Sequence, residues 1–158
     1  MRATNHFSDE RQFDTIDSAL EEIAAGRFVV VLDDAHRENE GDLVAAAELV
    51  TTESIAFMVE HTSGVICVGM DGADLDRLQL PLMVPRSENT DAKCTAFTVT
   101  VDLQNGTTTG ISASDRAKTL RALANSDTKP SDLRRPGHIF PLRQVSVCRT
   151  FFANCFQV

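Results

Sequence analysis

The sequence is organised around the stretch DDAHRENEGD, residues 33–42, in which five carboxylates, one arginine and one histidine fall within ten positions. An apolar run, FVVVL at 28–32, leads directly into this stretch, and a second, LVAAA at 43–47, follows it. Short apolar runs of this kind are typical of strands. The pattern therefore predicts an acidic loop whose two ends are held in place by two strands.

The charge of this loop points to a cation. Clustered carboxylates repel one another unless a positive charge lies among them. Their oxygens are hard ligands that suit Mg2+ or Mn2+, ions that leave coordination positions for a substrate. Arg37 adds a fixed cation able to bind an anionic or polyhydroxylated ligand. A solvated acidic turn explains the same charges, and charge alone does not separate the two interpretations.

An EF-hand is excluded by its register. Placing Gly41 at the sixth position of that loop puts His36 first and Ala47 twelfth, where an Asp and a bidentate Glu are required. A metal bound by this loop therefore needs further ligands from elsewhere in the fold.

Composition limits the class of protein. At 158 residues the chain has the length of one domain, and its net charge of −8 argues against nucleic acid or an anionic membrane as a partner. No apolar run approaches the roughly 20 residues needed to span a bilayer. Residues 1–12 are polar, so we expect a flexible tail, no secretory signal and a cytoplasmic protein; an organelle form whose presequence had been removed would look the same. The four cysteines form no C-x-x-C pair, which argues against a zinc site.

Helical and strand-like segments alternate along the chain, which predicts a fold that mixes both. The run 28–32 is apolar on both faces, so we expect it to be a central strand. Residues 43–50 are predicted as the next strand. Residues 96–102 alternate between apolar and polar side chains, which predicts a half-buried strand. Residues 129–137 contain two prolines and are predicted to form an extended loop.

A polar turn, NGTTTG at 105–110, leads into a helix predicted from about 112 to 124. Such a turn can present backbone N–H groups to an anion, but we favour simple capping of the helix by Ser112 or Ser114. The last residues, 144–158, contain no acidic residue, glycine or proline. They form either a buried terminal strand or sequence foreign to the domain, from a frameshift or an alternative exon, and we favour the second.

Five segments together carry a resemblance. They are DDAHRENEGD (33–42), HTSGVIC (61–67), TAFTVTVD (95–102), TTTGISASDR (107–116) and RPGHIFPLR (135–143). In this order they resemble the 3,4-dihydroxy-2-butanone 4-phosphate synthase family of riboflavin synthesis, over roughly residues 13–143. The RENEGD and RPGHIFPLR runs are specific, and their co-occurrence makes chance a poor explanation.

The resemblance implies an α+β fold, a three-layer sandwich in which a mixed, twisted sheet carries helices on both faces, here incomplete. It implies a homodimeric lyase that converts D-ribulose 5-phosphate to 3,4-dihydroxy-2-butanone 4-phosphate and formate with Mg2+ or Mn2+. By resemblance Glu38 is the metal ligand, and Arg37, Glu38 and Asp42 contact the substrate. His138 and Asp42 are the implied catalytic residues, Asp42 as the candidate base for the enolising proton.

Each of these residues also has a plainer interpretation. Arg37 can neutralise its acidic neighbours, Asp42 can bond the turn beside it, and His138 can be a satisfied core histidine. Asp115 and Arg116 are expected to form a structural pair beneath the site.

The family continues past RPGHIFPLR with an R-x-G-H-T-E motif that supplies a second metal-binding histidine and binds the substrate phosphate. No such motif follows Arg143. We therefore expect a truncated domain at 13–143, a non-family tail at 144–158 and little or no activity from this chain alone. A non-catalytic chain that pairs with a full-length enzyme and modulates it is the alternative. A parent protein fused to a GTP cyclohydrolase II domain is compatible with the sequence.

Overall fold

A computed structural model describes residues 13–34, 36 and 39–144. Arg37 and Glu38, the predicted tail 1–12 and residues 145–158 lie outside this part of the chain. The described residues form four α-helices, one short 3-10 helix and five strands. In chain order these are α1 (Ile16–Ala24), β1 (Val29–Leu32), β2 (Gly41–Val44), α2 (Thr52–His61), β3 (Cys67–Met70), α3 (Gly72–Arg77), β4 (Val101–Leu103), α4 (Ala113–Ala124), the 3-10 helix η1 (Pro130–Asp132) and β5 (Leu133–Arg143).

The main sheet has the strand order β3-β5-β4. Its central strand, β5, runs parallel to β3, with Cys67 opposite Phe140, and antiparallel to β4, with Val101 opposite Ile139. Helix α4 packs against β4 and β5, and α2 packs against α4. A mixed sheet combined with helices is the α+β class that the sequence predicts.

The prediction that 129–137 is an extended loop is wrong, because β5 begins at Leu133. A proline within a central strand requires a local change of pairing. That change is present: the β4–β5 register shifts between Val101, which pairs with Ile139, and Asp102, which pairs with Arg134. Residues 135–138, which include Pro136, therefore form a bulge in β5 that falls outside the regular β4–β5 pairing, and side chains replace the missing backbone partners.

Two side chains of the preceding segment bind the backbone of this bulge. Gly137 N donates to Thr100 Oγ1 at 3.1 Å, and His138 N donates to Asp102 Oδ1 at 2.9 Å. The polar side of 96–102 is accordingly buried, with Asp102 only 1% exposed. Regular strand structure covers only Val101–Leu103 of this segment. Apolar and polar side chains do alternate along 96–102, but the polar side chains face β5, because β5 offers hydrogen-bonding groups there.

Strands β1 and β2 form a separate antiparallel hairpin, in which Val31 lies opposite Asp42. The prediction of a central strand at 28–32 is wrong for the described residues, since β1 has one neighbour and Val30 is 61% exposed. The strand predicted at 43–50 begins earlier and is shorter in the structure, where β2 covers Gly41–Val44. The alanines that follow, 45–47, are buried, which agrees with close packing there.

Local signals set the helix ends. Thr15 caps α1 by accepting a hydrogen bond from Ser18 N, and Gly26 follows the helix with φ +75°, a conformation that glycine adopts without a Cβ clash. Ser112 caps α4. In the part of the chain that the structure describes, no helix is long and apolar enough to cross a membrane.

The first prediction concerns the core beneath α4. Ile139 is fully buried in β5, whereas Ile111, in the loop before α4, is 52% exposed. We expect Ile139→Ala to lower the free energy of unfolding by about 2–5 kcal/mol through lost burial and a cavity. The control, Ile111→Ala, should change it by less than about 0.5 kcal/mol. Urea unfolding followed by circular dichroism measures both, and equal losses would contradict this assignment of the core.

The second prediction compares two glycines of the turn between β4 and α4. Both have positive φ, +95° at Gly110 and +77° at Gly106. An added Cβ at Gly110 would lie 1.9 Å from Asp102 Oδ2, whereas at Gly106 it would meet nothing within 4 Å. Gly106→Ala should cost only the backbone strain, about 1–2 kcal/mol.

Gly110→Ala should cost about 2 kcal/mol more than Gly106→Ala, because the Asp102 carboxylate must move and weaken its hydrogen bonds to β5. The difference between the two urea midpoints, at equal slope, is the measurement. Midpoints that coincide would mean that the close approach of Gly110 to Asp102 does not contribute to stability.

Candidate active site

The predicted site residues fall on two different sheets. His138 lies in the bulge of β5, and Asp42 lies half-buried in β2 of the hairpin. No hydrogen bond joins the two side chains in the described structure; the ring of His138 contacts Asp102 instead. Arg37 and Glu38 are outside the described residues, so their predicted roles stay predictions.

The central feature of the candidate site is the contact between His138 and Asp102. His138 Nδ1 lies 2.8 Å from Asp102 Oδ2, while the other carboxylate oxygen accepts the backbone N–H of His138. The Asp102 side chain is 2% exposed, but the His138 side chain is 38% exposed. The buried carboxylate thus fixes one side of the histidine, and the other side is open to a ligand. This differs from a satisfied core histidine, which would be buried on both sides.

Sequence reasoning did not single out Asp102. The signal for it is its position as the last residue of TAFTVTVD, where a carboxylate directly follows a buried valine. A charged residue that continues an apolar strand is seldom buried without a partner. Its partner lies 36 residues further along the chain, which no local pattern reveals.

Arg116 approaches Asp102 from helix α4. Burial lowers the pKa of Arg116, and the negative charge of Asp102 opposes this shift. Arg116 Nε is buried and has no hydrogen-bond partner among the described residues. The guanidinium therefore provides positive charge near the Asp102 carboxylate. The expected pair between Asp115 and Arg116 is not formed, because Asp115 has other partners.

Asp115 organises the turn before α4. Its Oδ2 accepts hydrogen bonds from Thr108 Oγ1 at 2.7 Å, Thr108 N at 3.0 Å and Gly110 N at 3.1 Å. The hydroxyl of Thr108 is the largest cause of a lowered pKa at Asp115, so this carboxyl is held in its ionised form. Ser112 Oγ accepts from Asp115 N and caps the helix. The donors of this turn are used internally, which favours capping over anion binding.

The acidic loop continues the hairpin, as the sequence predicts. Asp33 N donates to Glu40 O at 2.9 Å, which extends the pairing of β1 and β2 by one bond. Asp34 Oδ1 accepts from His36 N at 2.7 Å and closes a local turn. Asn39 has φ +54°, which short polar side chains tolerate. Strands at both ends thus fix where the loop begins and ends.

Carboxylates of this loop suit a hard divalent ion by their chemistry. Asp33, Asp34, Glu40 and Asp42 all offer oxygen ligands of the kind that Mg2+ prefers. The described residues nevertheless contain no group of three or more metal-ligating side chains placed to hold an ion. The oxygens of this loop are thus suited to a hard cation by their chemistry alone, and the metal-binding role of Glu38, which lies outside the described residues, stays a prediction.

A cleft among the described residues lies away from Asp42 and His138. It has a volume of about 620 Å3 and opens at the ends of β3 and β5, with Met70, Asp71, Arg77 and Gln144 on its walls. Neither Asp42 nor His138 lines it.

Comparisons with known proteins agree with the resemblance that the sequence motifs carry. The sequence model of 3,4-dihydroxy-2-butanone 4-phosphate synthase matches residues 17–148. The chain is 56% identical over 128 residues to the 3,4-dihydroxy-2-butanone 4-phosphate synthase of Agrobacterium fabrum, which covers 81% of this chain and 59% of that protein. It is 57% identical over 131 residues to the probable bifunctional riboflavin biosynthesis protein RIBA 2, chloroplastic, of rice, covering 83% of this chain and 24% of that protein.

Solved structures agree with the sequence comparison. A crystal structure of 3,4-dihydroxy-2-butanone 4-phosphate synthase in complex with two magnesium ions superposes with a TM-score of 0.81 at 53% identity, over 85% of this chain and 62% of that one. A cation-free form gives a TM-score of 0.77 at 51% identity. The chain spans between about a quarter and three fifths of the length of these relatives. Its motifs, its fold and these matches agree: the chain belongs to the 3,4-dihydroxy-2-butanone 4-phosphate synthase family.

Proposed function

We propose that this chain carries part of an active site that converts D-ribulose 5-phosphate to 3,4-dihydroxy-2-butanone 4-phosphate and formate. The observation that carries the proposal is His138, a half-exposed histidine held by a buried carboxylate, within a chain that matches the synthase family over residues 17–148. The acidic hairpin loop adds the oxygen-rich surface that such a substrate and its cation need.

The chemistry of the reaction explains the choice of residues. A ketose phosphate must lose a carbon-bound proton to form an enediolate, and side chains that accept protons near neutral pH are suited to this step. Asp42 is the proposed base for the enolising proton, and His138 moves protons on the substrate. Arg37 and Glu38 bind the sugar, and Glu38 also ligates the cation. The divalent cation, when bound, stabilises the negative charge that develops on the sugar oxygens.

We propose Mg2+ as this cation, because a solved relative that is 53% identical in sequence holds two magnesium ions. Mn2+ is the alternative, since both ions prefer oxygen ligands and octahedral geometry. For the compartment we propose the cytoplasm; the rice relative is named as chloroplastic.

We further propose that the 158-residue polypeptide alone turns over slowly or not at all. The relatives extend well beyond the portion that this chain matches. The R-x-G-H-T-E motif of the family, with its second metal-binding histidine and its phosphate contacts, does not occur among the 158 residues. Binding energy from a remote phosphate positions a substrate for reaction, so its loss lowers the rate as well as the affinity.

The third prediction tests the proposed reaction and the proposed inactivity of the 158-residue chain with one assay, formate release from ribulose 5-phosphate with Mg2+. The 158-residue chain should give no turnover above background. A chimera in which residues 13–143 replace the matching part of the Agrobacterium fabrum synthase should release formate, and His138→Gln should reduce kcat of the chimera by about 100-fold or more.

The matched control for that assay is His61→Gln, a change of an exposed histidine at the end of α2. A folded chimera without activity would refute the proposed function. Turnover of the 158-residue chain at the rate of an ordinary enzyme would refute the proposal that it is inactive alone.

A second function, association with another family chain, is favoured by the exposed apolar surface of α1 and β1, residues 16–32, which we call the N-terminal unit. The exposed fractions are large on both faces of β1, at Val30, Val31 and Leu32. Helix α1 has no buried residue, and its apolar Ile16 and Leu20 are also exposed. Apolar surface of this extent is typical of a region that another polypeptide covers. We propose that a second chain of the family covers it, as a homodimer or as a short chain bound to a full-length enzyme.

The fourth prediction tests this association by sizing. Light scattering after gel filtration should detect a complex when the 158-residue chain is mixed with a full-length family enzyme. Val31→Asp, on the proposed surface, should weaken the complex at least tenfold, because it places a charge in an apolar contact. Val84→Asp, at a similarly exposed valine outside the N-terminal unit, is the control. If both variants associate like the unmodified chain, the N-terminal unit is not the contact.

A further inference from the structure

We propose that the C-terminal segment of this chain, residues 145–158, occupies the cleft at the ends of β3 and β5 as an additional strand beside β3. The segment lies outside the described residues, so its place is inferred from the walls of the cleft and from the point at which the described chain ends. A segment foreign to the family can fill the cleft as well as a native one, because the requirement is one of shape and hydrogen bonding. Neither Asp42 nor His138 lines the cleft, so this placement is independent of the proposed function.

The first step is the edge of β3 that faces away from β5. Among the described residues β3 pairs only with β5. Phe140 N donates to Ile66 O at 3.0 Å. Gln144 N donates to Met70 O, also at 3.0 Å. Successive residues of a strand direct their backbone groups to opposite sides, so Gly69 directs its N–H and C=O away from β5. An edge of this kind is a template for pairing with a further strand.

The second step is the cleft that opens along this edge. Gly69 lines the cleft, together with small or apolar side chains that are themselves buried: Ala46, Ala47, Val68, Met70 and Leu123. The alanines present little more than backbone, which lets an extended segment approach closely. The cleft therefore combines an apolar floor with the edge of a strand, the two features that strand addition uses.

The third step is the path of the chain. Gln144 lines the cleft and is bonded to Met70, so the chain leaves the described part beside the C-terminal end of β3. Neighbouring strands lie about 4.8 Å apart and rise about 3.3 Å per residue, so passing the end of β3 takes about three residues. The fourteen residues 145–158 suffice for this crossing and for a strand as long as β3, which has four residues. The return is antiparallel to β3, because a parallel crossover needs about a dozen residues before its strand begins.

The fourth step is the composition of the segment. Half of residues 145–158 are β-branched or aromatic, and glycine and proline are absent, which is typical of a strand. The one charged side chain of the segment is Arg149. On the cleft, Arg77 bonds Asp74, while Glu48 and Asp71 add two further carboxylates to the lining. The cleft is thus negative at its polar side, which complements Arg149.

The deciding measurement is a nuclear Overhauser spectrum of the 158-residue chain. We expect contacts between the backbone protons of Gly69 and protons of residues 145–158, because the Cα atoms of antiparallel neighbours lie only about 4.5–5.5 Å apart. An isotope-filtered spectrum of mixed labelled and unlabelled chains separates contacts within one chain from contacts between two chains. The contacts of Gly69 should occur within one chain.

Amide hydrogen exchange gives a second, independent readout. A chain with both Phe151→Ser and Phe152→Ser loses an apolar side chain whichever of these two neighbours faces the cleft. The Gly69 amide should exchange about tenfold or more faster in this double variant than in the unmodified chain, because the pairing that protects it is weakened. Gln157→Ser, near the end of the segment, is the matched control and should leave the exchange unchanged. The amide of Gly106, in the exposed turn before α4, should exchange equally in all three chains.

Three results would overturn the proposal: the absence of contacts between Gly69 and residues 145–158, contacts that occur only between two chains, or equal exchange of Gly69 in the folded double variant and the unmodified chain. The second result would assign the cleft to a second copy of the chain. If the double variant fails to fold by circular dichroism, the spectrum of the unmodified chain decides alone. Both measurements are made without substrate, so they are independent of formate release by the chimera.

Discussion

The structure depends on one buried carboxylate at a change of strand register. Asp102 lies where β4 and β5 stop pairing regularly, and it accepts hydrogen bonds from the bulge that results. Without an acceptor at this point, the N–H of His138 would be buried and unsatisfied, which costs about 1–3 kcal/mol. The same carboxylate requires a glycine at position 110 and positive charge from Arg116. One side chain thus joins the central strand, the turn before α4 and the candidate catalytic histidine.

The features that could be predicted from the sequence are those formed by residues close together in the chain. The cap of α4 depends on residues within one helical turn, and Ser112, one of the two predicted candidates, forms it. The acidic loop between two strands was also predictable, because two apolar runs flank it directly. The family motifs identified the fold class and His138, because each motif is a short continuous segment of the sequence.

What the sequence could not predict depends on distant pairing. Two prolines argued for a loop at 129–137, yet β5 passes through this region because a register shift removes the need for the missing N–H. The buried face of 96–102 was not predictable from hydrophobicity, since Thr98 and Asp102 are buried by hydrogen bonds to β5. The 28–32 run resembled a central strand because it is apolar on both faces, yet in the described structure Val30, Val31 and Leu32 are exposed.

This last point connects the fold to the function. The acidic loop belongs to a hairpin with exposed apolar faces, and His138 belongs to a well-packed three-stranded sheet. A site made from both must be fixed by whatever fixes the hairpin relative to the sheet. Catalytic groups that are displaced by about 1 Å lose much of their effect, so the packing of Leu43 and Phe28 on the core is important support for the proposed base Asp42. On the proposal that a second chain covers the exposed faces of β1, association and catalysis are two consequences of one burial event, because the covered strand leads directly into the acidic loop.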